Sequence, residues 1–166
     1  MSRKAASGGT PATVALARAG IPFSLHQYQH EADTGSYGEE AVAALGVDAR
    51  RIFKTLVAEI VAAGAAELVV AVVPVASHLD LKALAAGLGV KKAAMAEPAA
   101  AARSSGYVLG GISPVGQRTR LRTVLDASAL SFPTILVSAG KRGLQVELAP
   151  DDLISVTSAL VSPIAA

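Results

Sequence analysis

Two apolar stretches, Ile52–Ile60 and Leu68–Val73, lie either side of a small-residue turn around Gly64, and they restrict the fold more than any other feature. Each is short, rich in Val, Ile and Leu and bounded by turn residues, which predicts consecutive β-strands. Strands this apolar must be covered. The chain has 166 residues, 52% of them hydrophobic and 17% charged, enough to bury a core around such a pair within one domain. Its longest apolar run, Leu68–Ala76, is nine residues and is broken by Pro74, whereas a bilayer-spanning helix needs roughly 20. A membrane partner is therefore not expected.

The remaining punctuation builds outward from that pair. The opening residues to Gly9 read as a flexible tail, residues 1–9, and 10–166 as a single domain. MSRKAASGGT has positive charge but no apolar stretch behind it, so it is no secretory signal, and a cytoplasmic location is expected. Thr10-Pro11 supplies a capping hydroxyl and a proline at the first helical position, starting a helix over Pro11–Ala19 that Gly20 ends. Pro22–Tyr28 alternates like a half-buried strand. A turn-rich stretch, Glu31–Gly38, leads to a short helix near Glu39–Leu45. Ser77-His78-Leu79-Asp80 resembles a capping box opening a helix that ends near Gly87, and another helix begins near Pro98. Tyr107–Ile112, Thr123–Asp126, Thr134–Ser138 and Leu144–Leu148 read as strands, and Pro150-Asp151-Asp152 starts a closing helix. Strands interrupted by helices, without regular alternation, predict an α+β fold with a mixed, curved, barrel-like sheet and flanking helices.

Several chemistries are excluded at once. There is no cysteine, hence no disulfide, thiolate metal site or protein thiol nucleophile. His26, His30 and His78 have no metal-ligand spacing and read as satisfied surface or core histidines, so neither a metal nor a cofactor is expected. No Gly-x-Ser-x-Gly elbow and no P-loop occurs. What is left is Lys54, on the same strand face as Ile52 and Leu56. Such a lysine either lays its stem along an edge with its ammonium in water, or projects into a cavity and stabilises developing negative charge. Gly110-Gly111-Ile112-Ser113-Pro114 is either a plain turn or a place where bare backbone amides approach a ligand. Arg118, Arg120 and Arg122 alternate, so an extended segment would project them to one side. With Lys141 and Arg142 they could form a rim for phosphates, although a net charge of +2 is by itself too small to mark a dedicated nucleic-acid binder, and DNA is not an expected partner.

Taken in order, Phe53-Lys54-Thr55-Leu56, Val72-Val73-Pro74-Val75, Leu79-Asp80-Leu81-Lys82, Gly106-Tyr107-Val108-Leu109-Gly110-Gly111-Ile112-Ser113-Pro114 and Ser138-Ala139-Gly140-Lys141-Arg142-Gly143-Leu144 resemble the YbaK family of free-standing bacterial Cys-tRNA(Pro) deacylases. These are relatives of the editing domain of bacterial prolyl-tRNA synthetase. The resemblance implies a pocket for the 3′ end of an aminoacyl-tRNA and transient association with prolyl-tRNA synthetase. Lys54, Gly110 and Gly111 fall at the catalytic positions. Tyr28, Tyr37, Thr55, Ile112, Ser113, Pro114, Ser138 and Gln145 fall at substrate-binding ones. Tyr37 stands where the family often has phenylalanine. Gln145 stands where an aspartate is expected, and an amide supplies hydrogen bonds but no negative charge. Two other functions compete with Cys-tRNA(Pro) deacylation: removal of alanine or another small residue from tRNA, and a non-catalytic tRNA- or nucleotide-binding module.

Overall fold

The structure, a computed structural model, describes residues 9–28 and 37–166, with 37–40 described by their backbone alone. Residues 1–8 of the expected tail, His30 and most of the 31–38 turn stretch lie outside the described residues.

The expected strand pair is the spine of the molecule. Strand β2 (Phe53–Ala62) and β3 (Ala65–Pro74) pair antiparallel over ten residues, from Phe53 opposite Pro74 to Ala62 opposite Ala65. The two-residue link, Ala63-Gly64, has positive φ at both positions, 52° and 81°, the geometry whose twist matches a hairpin. Before the pair come α1 (Pro11–Arg18), β1 (Ser24–Gln27) and α2 (Tyr37–Leu45). After it come α3 (Leu81–Leu88), β4 (Ala93–Met95), α4 (Pro98–Ser105), β5 (Arg122–Asp126), β6 (Ile135–Lys141), β7 (Leu144–Leu148), α5 (Pro150–Thr157) and β8 (Leu160–Ser162).

The mixed α+β class is what forms, but the barrel is not. Among the described residues the strands make two sheets, one ordered β1-β7-β6 and one ordered β4-β2-β3-β5-β8. Among the described residues one bridge, Ile52 to Leu136, links them at the foot of β2. The face of β2–β3 carrying Phe53, Val70 and Val72 packs on β6, β7 and α1. The opposite face, with Ala58, Ile60, Val69 and Ala71, packs beneath α3. Alternating residues of one apolar hairpin thus feed two cores, which is why its sequence is nearly continuous in hydrophobicity.

Two local expectations fail for identifiable reasons. Tyr107–Ile112 is not a strand. Tyr107 is buried with its hydroxyl donating to the Val115 carbonyl at 2.7 Å, and the chain then turns at Leu109-Gly110. The helix after Ser77 is capped by Asp80, whose Oδ1 accepts from Ala83 N at 3.0 Å. The backbone ahead of that cap is already committed, with His78 and Asp80 bonded to Ala166 and Ile164. At the other end of this contact the buried Asp126 carboxylate accepts from the amides of Ile164 and Ala165 at 2.8 and 3.0 Å.

Candidate active site

Strand β4 covers the outer edge of β2 only from Ala58 to Ile60. The last covering contact is Ala96 N to Val57 O at 3.0 Å. Below that point β2 borders a cavity of about 450 Å³, with β6 and β7 on one side and the 109–112 loop on another. The candidate residues Lys54, Thr55, Gly110, Ile112, Ser138 and Gln145 all line it.

Each arrives by a different route. Lys54 and Thr55 are half-buried and held by register opposite Val73 and Val72. Ser138 and Gln145 face each other across the β6–β7 ladder, immediately before its register shifts between Ser138 and Lys141. The Ser138 hydroxyl accepts from Gly140 N at 3.1 Å. Gln145 is only 8% exposed, and its Oε1 has no hydrogen-bond partner among the described residues; the buried Thr55 Oγ1 is in the same position. Buried polar atoms left unpaired are costly, and a polar group entering the cavity would find an acceptor in each of these two.

The glycine loop divides its labour. Gly110 has φ +85°, and Gly111 N–H donates to the Val108 carbonyl at 3.0 Å. That is a type II turn, with positive φ at its third residue. Gly111 therefore spends its amide on the turn and does not line the cavity. Its missing side chain answers a packing need, since a Cβ there would lie 2.8 Å from Lys141 Cα. Gly110 N–H makes no hydrogen bond among the described residues.

Other sequence candidates sit elsewhere. Ser113 is fully buried, its hydroxyl accepting from Val115 N at 3.2 Å. Pro114 borders a separate, smaller cavity shared with Arg120. Tyr28 packs with Ala41, Ile52 and Leu136 in a cluster adjoining the cavity wall. The Tyr37 side chain lies outside the described residues. The alternating arginines do not project together, because the chain bends through 118–119 and is extended only from Arg122. Arg118 packs against Gly106, Arg120 donates to Ser158 Oγ at 2.9 Å, and Arg122 pairs with Glu67 at 2.9 Å. Arg142 Nε donates to the Leu109 carbonyl at 3.0 Å.

Sequence inspection missed the apolar side of the cavity, formed by Met95, Ala96, Pro98 and Ala101. Small and apolar residues carry no chemical signature, and only the return of β4 to the edge of β2 brings them there. It also missed Glu147. This carboxylate accepts from Thr134 Oγ1, from Arg51 Nη2 at 2.9 Å and contacts His26 Nε2 at 2.7 Å. The Thr134 hydrogen bond first, then His26 and Arg51, hold it below the usual glutamate range despite partial burial. His26 is thereby a satisfied histidine. No cluster of three or more metal-ligating side chains occurs among the described residues, and no helix there is long and apolar enough to cross a membrane.

Comparison with known proteins agrees with this architecture. The sequence profile of the aminoacyl-tRNA editing domain matches residues 31–156. A protein of Enterococcus faecalis, EbsC, which carries the name of a Cys-tRNA(Pro)/Cys-tRNA(Cys) deacylase, is 37% identical over 158 residues, spanning 95% of this chain and 94% of its own. A solved structure described as a trans-editing enzyme for prolyl-tRNA synthetase superposes with a TM-score of 0.75 at 25% identity, over 100% of this chain and 99% of the other. That of a hypothetical protein superposes at 0.82 with 24% identity, over 95% and 100%, a likeness of fold alone.

Proposed function

Because this chain belongs to the aminoacyl-tRNA editing domain family, we propose that its reaction is hydrolysis of the ester joining cysteine to the 3′-terminal ribose of tRNA(Pro). The chain is then a deacylase acting in trans on tRNA in the cytoplasm, with at most transient recourse to prolyl-tRNA synthetase. Cysteine and proline are close in size, and a pocket rejects a near-isostere poorly, by roughly 10–200-fold per methylene. A synthetase that mischarges at that level needs a second site to clear the product.

The observation that carries the reading is the shared cavity of Lys54 and Gly110 on this family's scaffold. An aminoacyl ester is already activated, so a site that positions it and stabilises the oxyanion suffices. Lys54 supplies a compact positive charge and Gly110 N–H a fixed dipole for the carbonyl oxygen. Thr55 Oγ1 and Gln145 Oε1 are the unpaired atoms that would take polar groups of the aminoacyl moiety. The nucleophile comes from outside the protein, which has no cysteine and needs none. The substrate thiol adds to its own carbonyl carbon, the ester C–O bond breaks, and the ribose oxygen takes up the thiol proton. Water then opens the cyclic thioester to free cysteine.

The test is incubation of the purified protein with Cys-, Ala- and Pro-tRNA(Pro). Cysteine release should far exceed alanine release, because an alanyl ester carries no thiol to attack its own carbonyl. Equal release of cysteine and alanine would refute the thiol route and the assigned substrate together. Tight tRNA binding without release of any amino acid would reduce the protein to a binding module.

A further inference from the structure

We infer that Arg142 is a positioning residue that aims the Gly110 amide into the cavity by gripping the other end of the same peptide group. This rests on the deacylase reading only for its catalytic consequence; the geometry is independent of it. Arg142 Nε donates to Leu109 O at 3.0 Å. Leu109 O and Gly110 N–H belong to one peptide unit, and no cis bond occurs among the described residues, so the carbonyl and the N–H point in opposite directions. A guanidinium fixed on one side therefore turns the amide to the other.

That peptide is the one a turn can most easily lose. Types I and II share the bond from the first residue to the fourth, here Val108 O to Gly111 N. They differ by rotation of the central peptide, which is Leu109–Gly110. Glycine permits both orientations at little cost, so the sequence of the loop does not decide between them. Arg142 does. Its hold is reinforced where Gly111 lies against the backbone of Lys141 and Arg142, leaving no room for a Cβ, so loop and hairpin are in register at this point. A charged donor on the carbonyl also polarises the peptide and strengthens its N–H as a donor. Arg142 is thus assigned to the loop and not to a phosphate rim, although it sits on the exposed tip of the β6–β7 hairpin.

Arg142→Ala and Arg142→Lys separate the two roles, assayed on full-length Cys-tRNA(Pro) and on the cysteinyl ester of adenosine, which lacks the tRNA body. Deleting an oxyanion donor costs roughly 10²–10³-fold in kcat, so releasing the group that aims it should cost about tenfold. The loss should appear in kcat on both substrates, with KM within about twofold, and Arg142→Lys should recover part of it because an ammonium still donates to a carbonyl. The Gly110 amide resonance in a ¹H–¹⁵N spectrum should shift while the Gly111 amide stays protected from exchange. A rise in KM confined to full-length tRNA, with kcat preserved, would overturn the assignment in favour of a phosphate contact. An unmoved Gly110 resonance would overturn it whatever the activity. Should the unmodified protein release no amino acid from either substrate, the deacylase reading fails, and the resonance still decides for or against Arg142.

Discussion

The start of strand β2 and the loop after Tyr107 both line the same cavity, yet they are held in opposite ways. Lys54 reaches it through a ten-residue ladder whose every position is fixed by alternation and by a hairpin turn. Gly110 reaches it through contacts outside any ladder, one within the loop and two with the β6–β7 hairpin. Tyr107 is pinned to Val115, Gly111 lies on Lys141, and Leu109 is held by Arg142. The cation is placed by local pattern and the amide by tertiary packing. A change in the strand should therefore remove chemistry and leave the fold, while a change in the loop should disturb both.

The largest effect tests the strand side of this contrast. Lys54→Ala is expected to lower kcat by about 10²–10³-fold, the scale of losing one preorganised electrostatic group, with the thermal midpoint nearly unchanged. Lys54→Arg should recover little, because a wide planar fork does not replace a compact ammonium. A melting point that fell with activity would make Lys54 structural and erase the distinction. Next comes the loop. Gly111→Ala places a Cβ against Lys141 Cα, backbone that cannot step aside, and overpacking of this kind costs about 1–3 kcal/mol. Chemical denaturation should show that loss together with reduced deacylation. An unchanged midpoint would show the loop to be looser than the strand.

The smallest effect concerns how β2 is anchored. Arg51, just before the strand, is tied to β7 through Glu147, whose carboxylate pKa is depressed by Thr134, His26 and Arg51. A depressed acid stabilises the fold above its unfolded value, near 4.3, and that contribution disappears as pH falls through the lower folded value. Stability should then decline on acidification below about pH 4. Glu147→Gln should flatten that limb slightly, since partly exposed pairs are worth little. An acid limb identical in the variant would detach Arg51 and Glu147 from the anchoring of β2.

The same contrast explains what could be read in the amino-acid sequence. Ile52–Ile60 signals a strand with Lys54 on a defined face because period-two alternation is a local property, and the strand found is Phe53–Ala62. The helix starts at Pro11, Pro98 and Pro150 were legible for the same reason. Tyr107–Ile112 misled because Tyr, Val and Leu in a row look like a strand, while the turn is decided by φ at Gly110 and by partners some thirty residues away. Ser77 misled because its neighbours' backbone was already paired with the segment around Ile164. Of the site, the positions on ladders (Lys54, Thr55, Ser138 and Gln145) line the cavity together with Gly110 and Ile112 of the loop, whereas Gly111, Ser113 and Pro114 do not line it. The order of the segments carried the family resemblance, but it did not give the direction in which the loop faces.

The bare backbone of this loop also changes what a mutational survey would mean. Besides Gly111 on Lys141, a Cβ at Gly116 would lie 2.5 Å from the Pro11 carbonyl, and one at Gly140 would lie 2.8 Å from the Tyr107 ring. Replacing residues by alanine is normally subtraction. Along this seam it is addition, and the mildest exchange in the repertoire becomes a wedge. A scan that ranks positions by lost activity would credit these three with contacts they never make, when their contribution is the space they leave vacant.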